Sequence, residues 1–276
     1  MSVSVILLAA GYGTRLWPLT KDRPKALLPL RYPPPDRGAG RGARGPVILD
    51  EIVGALHALP GVRRRLLVTN HRFAAQFRAW RKARGAPIRI VDDRTTTPED
   101  KRGAIWDLRL AARAVPAQDD LLVVGTDNLF RWSLARFVKQ AQAHRPAPSL
   151  ALWKAPSLDD AGRFGVVQRD RSGHIRRFAE KTIPAISRDV AVCVYYLPAA
   201  ARPRLGEFLR AGGPSDAPGY FFQWLVREGC PVYGVMMPGA WYDIGTPRAY
   251  AAILARWRRA GRRSGIVTRS KQRLEG

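Results

Sequence analysis

The residues best suited to chemistry lie near the start of the chain. They form Leu8-Ala9-Ala10-Gly11-Tyr12-Gly13-Thr14-Arg15-Leu16-Trp17-Pro18-Leu19-Thr20, followed by Arg23-Pro24-Lys25. Glycines placed directly after an apolar run let backbone N–H groups approach phosphate oxygens without Cβ obstruction. The loop lacks the Gly-Lys-Ser/Thr close of a Walker A motif, and the third glycine of a GxGxxG fingerprint would fall on Leu16. What it adds is two cations, Arg15 and Lys25, at fixed distance from the loop. A triphosphate needs such groups when its leaving pyrophosphate gathers negative charge. Leu8, Ala9, Ala10, Gly11, Gly13, Thr14 and Arg15 are thus expected to bind nucleotide phosphates.

Two carboxylates extend this reading. Asp127 follows the apolar run Leu121–Val124, and ligands of α/β proteins sit at the carboxyl ends of parallel strands. A hard oxygen ligand there suits Mg²⁺, which takes one or two carboxylates together with substrate phosphates. Asp243, far along the chain in another strand-to-loop turn, could complete the metal shell. The four histidines (His57, His71, His144 and His174) have no zinc spacing with one another or with the cysteines, and are expected on the surface or in helices.

The elements that must position these groups follow from apolar patterning. Val3–Leu8, Leu66–Thr69, Ile88–Val91 and Leu121–Val124 have the short apolar runs of buried parallel strands, the last being central. Between and after them, Val47–Leu59, Phe73–Arg81, Ala104–Ala114 and Phe130–Ala143 have helical spacing. This alternation predicts βαβ crossovers and a parallel sheet. After about residue 148 the pattern becomes mixed or antiparallel. Leu150–Trp153, Gly165–Arg169, His174–Ala179 and Val190–Leu197 are strand-like, separated by turn signals at Asp159-Asp160 and Arg171-Ser172-Gly173. Pro218–Glu228 and Pro247–Arg258 are the last expected helices. No repeat builds an appended β-helix. Arg31–Gly45 (RYPPPDRGAGRGARG) cannot pack a core and is expected to form a surface loop or a basic lid over a phosphate site.

Composition bounds the rest. The 276 residues are 46% apolar, enough for a real core, which excludes a disordered chain and a disulfide-stapled miniprotein. No run approaches a membrane span, no signal-peptide pattern opens the chain, and Cys193 and Cys230 are the only cysteines. The expectation is a soluble cytoplasmic protein. Lys and Arg number 47 against 22 Asp and Glu, a net charge of +25, yet the lysines are only eight and the arginines are spread throughout. Without a recognition motif, this balance is read as an arginine bias, and nucleic acid is not the expected partner. The positive field should still attract polyanionic small molecules.

GYGTRLWPLTKDRPKALLPL resembles the signature of the sugar-1-phosphate nucleotidylyltransferases, the nucleotide-sugar pyrophosphorylases. The resemblance runs from residue 3 to about residue 255. It passes through Val68-Thr69-Asn70, Arg102-Gly103-Ala104-Ile105, Gly125-Thr126-Asp127-Asn128, Arg163-Phe164-Gly165-Val166-Val167, Phe178-Ala179-Glu180-Lys181 and Trp241-Tyr242-Asp243-Ile244-Gly245-Thr246-Pro247, matching in order and spacing. It implies a GT-A-like α/β fold, with a Rossmann-like, mostly parallel sheet flanked by helices and a mixed/antiparallel sugar-binding half. One domain would span 1–260, with a nucleotide-binding half at 1–147, a sugar-phosphate-binding half at 148–260, and a basic flexible tail at 261–276.

The resemblance also assigns roles. Asp127 and Asp243 would hold the catalytic Mg²⁺, and Gly103 would bring backbone close to the base or ribose. Gly165 would approach the sugar, while Glu180 and Lys181 would contact the sugar phosphate. Arg15, Lys25 and Lys181 would be catalytic, acting on a nucleoside triphosphate and a sugar 1-phosphate, in a monomer or an oligomer. Several positions depart from the family. Thr126 and Thr182 replace a glycine and a proline, Cys193 stands at a glycine near the sugar, and Ser215-Asp216-Ala217-Pro218-Gly219-Tyr220-Phe221 replaces the usual helix entry. Alternatives are a cytidylyltransferase acting on phosphocholine, whose first loop is very similar, and a catalytically silent member binding RNA or a protein partner.

Overall fold

The computed structural model describes residues 2–30 and 45–256. Residues 31–44, and with them nearly all of the Arg31–Gly45 segment, lie outside the described residues, as does the tail expected at 261–276.

In chain order the elements are β1 (Val3–Leu8), α1 (Ile48–His57), β2 (Val62–Thr69), α2 (His71–Arg84), β3 (Arg89–Asp92), α3 (Ala104–Ala112), β4 (Asp120–Gly125), β5 (Asn128–Phe130) and α4 (Leu134–Gln142). There follow β6 (Ser149–Lys154), α5 (Leu158–Ala161), β7 (Gly165–Arg169), β8 (Ile175–Glu180), β9 (Asp189–Leu197), α6 (Arg204–Arg210), α7 (Pro218–Arg227), β10 (Tyr233–Met236) and β11 (Trp241–Asp243), with a last helix over 247–256.

The main sheet runs in the order β10-β6-β9-β4-β1-β2-β3, with β7 and β8 attached through β9. β1 pairs in parallel with both β2 and β4, and β2 with β3. β9 is antiparallel to β4 and β6, and is where the parallel pattern breaks. Alternate residues face opposite layers. Val3, Val5 and Leu7 of β1, with Leu122 and Val124 of β4, join a core with α1, α2 and α4. Ile6, Leu121 and Val123 turn to the other face, against α3, α6 and α7. A strand buried on both sides leaves no polar alternation, hence the continuous apolar runs in the sequence.

Local rules explain the helices. In α1, Ile48, Leu49, Ile52, Val53 and Leu56 are buried on one stripe, and Asp50 accepts from the Val47 N–H at 2.8 Å. In α2, Asn70 caps the N-terminus through Phe73 N–H, and Gly85 closes it in a left-handed conformation at φ 59°.

Three expectations need correction. The helix expected over Phe130–Ala143 starts only at Leu134, after Ser133 caps it, and Asn128–Phe130 is instead a strand paired antiparallel with β11. Its apolar residues had fallen in phase with the helical pattern behind them. Asp159-Asp160, expected as a turn, lies inside α5, capped by Ser157. α6 and β10 had no expected counterpart, because each is too short for periodicity to register.

At the opposite end of β4 from the loops, Asp120 is 1% exposed. It accepts from Tyr196 O–H at 2.5 Å and from Ala199 N–H at 2.8 Å, and it pairs with the Arg145 guanidinium at 3.1 Å. One carboxylate thus ties the parallel and antiparallel parts of the sheet together. Removing it takes a shared, buried acceptor from a guanidinium, a phenol and a backbone N–H. Asp120→Ala is expected to lower stability by about 3–5 kcal/mol, and Tyr196→Phe by about 1–3 kcal/mol, read from urea denaturation midpoints.

Candidate active site

The carboxyl ends of β1 and β4 open into a cleft of about 640 Å³. Leu8, Ala9, Ala10, Gly11, Gly13, Thr14, Arg15, Lys25, Gly103, Asp127, Gly165, Glu180, Lys181 and Asp243 all line it. The side chains singled out in the sequence therefore converge on one space.

The glycine loop is built by its neighbours. Gly13 sits at φ 66°, where an L side chain is strained, and leads into the single turn Thr14–Leu16 that carries Arg15. Thr20 Oγ donates to the Gly13 carbonyl at 2.7 Å, and a Cβ on Gly13 would crowd Thr20 at 3.2 Å. Asn70 acts twice, since besides capping α2 its amide donates to the Ala10 carbonyl at 2.9 Å. Tyr12 donates to Thr95 at 3.0 Å. No role had been given to Thr20, Asn70 or Tyr12 from sequence, although all lie inside the segments singled out there.

The two carboxylates meet because β5 and β11 pair. Asp243 stands opposite Asn128 in that ladder, and the Ile244 N–H bonds the Asp127 carbonyl at 3.0 Å. Asn128 clamps the arrangement, donating to Asp127 Oδ1 at 2.6 Å and accepting from Trp241 Nε1 at 2.9 Å. Burial, then the Asp127 charge, pushes the Asp243 carboxyl up to about 6, against the opposing pull of Lys25 and Arg15. Lys25 Nζ lies 3.2 Å from Asp127 Oδ2. Gly245 leaves room for this, since a Cβ there would stand 2.6 Å from Asp243 Oδ2.

Such a pair fits a magnesium ion. Its donors are hard oxygens, and the two negative charges are near enough to raise the proton affinity of one. Among the described residues no group of three or more His, Cys, Asp and Glu could hold a metal. The set is therefore open and suited to an ion that draws its remaining ligands from phosphate and water.

The opposite wall belongs to β7, β8 and α7. Lys181 has φ 52°, an unusual backbone for a non-glycine residue, and its N–H bonds the Phe164 carbonyl at 3.1 Å. Gln223 of α7 accepts from the Glu180 N–H at 3.0 Å. Burial raises the Glu180 carboxyl above its usual range, against the Lys181 charge. Gly219 and Gly165 make space for it, as a Cβ on either would run into Glu180 Oε2. Cys193 also lines the cleft, with the missing Cβ of Gly125 making room for its thiol, which burial holds protonated. Ser215 docks on the other glycine loop. Its carbonyl accepts from Ile105 N–H at 3.0 Å and its hydroxyl donates to the Arg102 carbonyl at 2.6 Å, over a Gly103 that has no space for a side chain.

A family model described as nucleotidyl transferase matches residues 4–259. A mannose-1-phosphate guanyltransferase of Pichia angusta is 24% identical over 251 residues, covering 89% of this chain and 61% of that protein. A probable mannose-1-phosphate guanylyltransferase 2 of Arabidopsis thaliana is 26% identical, covering 90% and 63%. The chain thus spans less than two thirds of the length of these curated relatives. Among solved structures, a putative glucose-1-phosphate thymidylyltransferase from Bacillus anthracis superposes with a TM-score of 0.72 at 21% identity, covering 92% of this chain and 94% of that one. A UDP-glucose pyrophosphorylase complexed with UDP-glucose gives 0.72 at 16% identity, covering 94% and 100%. These likenesses establish the α/β fold with its parallel sheet and antiparallel portion.

The raised Asp243 carboxyl means that the folded chain holds this proton to higher pH than the unfolded chain. Its contribution to stability is complete below about 4 and is lost as pH rises through about 6. Without divalent metal, Asp243→Asn should melt above the wild type at pH 8, with the gain shrinking towards pH 5. Thermal melts across that range test it, and equal melting at pH 8 would contradict the placement.

Proposed function

Because the chain belongs to the nucleotidyl transferase family, we propose that it joins a nucleoside triphosphate to a sugar 1-phosphate, forming an NDP-sugar and releasing pyrophosphate. The observation that supports this most is the pairing of opposed groups across one cleft, with a glycine loop, Arg15 and Lys25 on one wall, Lys181 on the other, and Asp127 with Asp243 between.

In this reading the triphosphate lies along Gly11–Thr14, where backbone N–H groups face its oxygens. The sugar phosphate enters from the Gly165 and Lys181 side. With a second pKa near ~6 it is largely dianionic at neutral pH, so its oxygen attacks the α-phosphorus in line without a general base. Lys181, which lines the cleft, clamps this nucleophile. Arg15 neutralises the pyrophosphate as it departs, while Lys25 serves the α- and β-phosphates and, between turnovers, the Asp127 carboxylate. The Mg²⁺ held by Asp127 and Asp243 would neutralise phosphate charge when bound. Catalysis then rests on positioning and electrostatics.

Pyrophosphate release measured over a matrix of four triphosphates and several sugar 1-phosphates, with phosphocholine as a further acceptor, tests this function. One sugar 1-phosphate pairing should turn over, stop with a chelator and resume with Mg²⁺; turnover with phosphocholine alone points to a different transferase. With the active pair, Arg15→Ala should stay folded and lose on the order of 10²–10³ in kcat. Near wild-type turnover in that variant removes Arg15 from the mechanism.

A further inference from the structure

Two buried acids beside the cleft take no part in the reaction proposed above. Asp93, in the loop after β3, is 3% exposed, and Asp107, in the first turn of α3, is 5% exposed. Backbone fixes both. The Asp93 N–H donates to the Thr69 carbonyl at 2.9 Å, and the Asp107 N–H to the Gly103 carbonyl at 3.0 Å. The two carboxyls share a hydrogen bond. Ionised carboxylates only accept, so one of the two must carry the proton that joins them. Asp93 already accepts from the N–H and hydroxyl of Thr95, at 2.7 and 2.8 Å, which favours its charged form. No donor from the protein reaches the buried Oδ1 of Asp107. Asp107 is therefore the acid of the pair.

The pair belongs to a longer chain of contacts. The Thr95 hydroxyl, which donates to Asp93, accepts from Tyr12 O–H at 3.0 Å, and Tyr12 stands between Gly11 and Gly13. At the other end Asp107 holds the Gly103 turn. Two backbone stretches that line the cleft are thus joined through side chains. The charges around this join are mixed. Asp92 adds to the repulsion at Asp93, while Arg102, laid over the Trp106 ring at 4.2 Å, opposes it at Asp107. Asp100 and Arg72 face Tyr12 with opposite signs. Burial, and then the Asp93 charge, pushes the Asp107 carboxyl up to about 8, so the joining proton is held at neutral pH and leaves above it.

We propose that Asp93 and Asp107 are positioning residues, whose shared proton fastens the glycine loop to the Gly103 turn through Thr95 and Tyr12, and that the cleft loses affinity for triphosphate when this proton leaves. Two bare carboxylates buried side by side repel, and their separation slackens both stretches of backbone. The proton is bound more tightly in the folded chain than in the unfolded one, so its stabilising contribution is lost as pH rises through about 8. The inference rests on the nucleotidyltransferase reading for the identity of the ligand, and goes beyond it by making the phosphate loop depend on one buried proton.

Titration of GTP, ATP, CTP, UTP and dTTP into the full chain with Mg²⁺ at pH 7 finds the tightest binder, which is then titrated again at pH 9. Relative to Asp107→Asn, whose amide donates to Asp93 at either pH, wild type should lose about tenfold in affinity between the two, since at pH 9 only about a tenth of it keeps the proton. Asp93→Asn supplies the donor from the other side and should lack the fall as well. Tyr12→Phe cuts the tie to the loop and should shrink the fall, while its melting temperature keeps the wild-type dependence on pH. An unchanged fall in Tyr12→Phe, as a merely structural pair would give, overturns the proposal. Equal falls in wild type and both Asn variants overturn it too, and leave the triphosphate reading standing. The expected falls without turnover on any sugar 1-phosphate leave the proposal standing and remove the activity proposed above. No binding of any triphosphate removes both.

Discussion

Two carboxylates held close together in a partly desolvated cleft are the constraint around which this molecule is arranged. Asp127 and Asp243 repel, and burial of Asp243 sharpens the repulsion, so nothing in their own chemistry keeps them together. The two-stranded pairing of β5 with β11, the Asn128 clamp and the Ile244–Asp127 backbone bond do so from behind. In front, Lys25 and Arg15 balance the charge. A site held in this way keeps two like charges together at a cost to stability, as sites arranged for binding commonly do.

The same logic recurs around the cleft. Buried acids appear on three sides, at Asp243, Glu180 and the Asp93–Asp107 pair, and burial raises the proton affinity of each. Glycines stand where these carboxyls need space. Gly245 makes room for Asp243, while Gly219 and Gly165 make room for Glu180. Gly13 and Gly103 serve differently, taking a backbone that other residues avoid while packing against Thr20 and Ser215.

The sequence was informative where a physical signal is local. Apolar runs buried on both faces marked β1 and β4, and the glycine-rich turn with Arg15 and Lys25 marked a segment that lines the cleft. Asp127 and Asp243 could be named from their positions after strands. What ties them together was not legible, since β5 and β11 are three residues each and pair across most of the second half of the chain. Phe130 was absorbed into a helix for that reason. Asp107 was missed differently. It sits in the first turn of α3, where an acid is ordinary, and only the fold reveals that its oxygen faces neither solvent nor a donor. Thr20 and Asn70 belong to the same class, visible in quoted segments but given their work by contacts distant in sequence.

The seam between Ser215 and the Gly103 loop has a mechanical meaning. Two hydrogen bonds and a close backbone approach fasten the segment before α7 to the turn that opens α3, so the entries to both helices are tied to each other. A displacement of the α7 entry must therefore either break these bonds or carry the α3 turn with it.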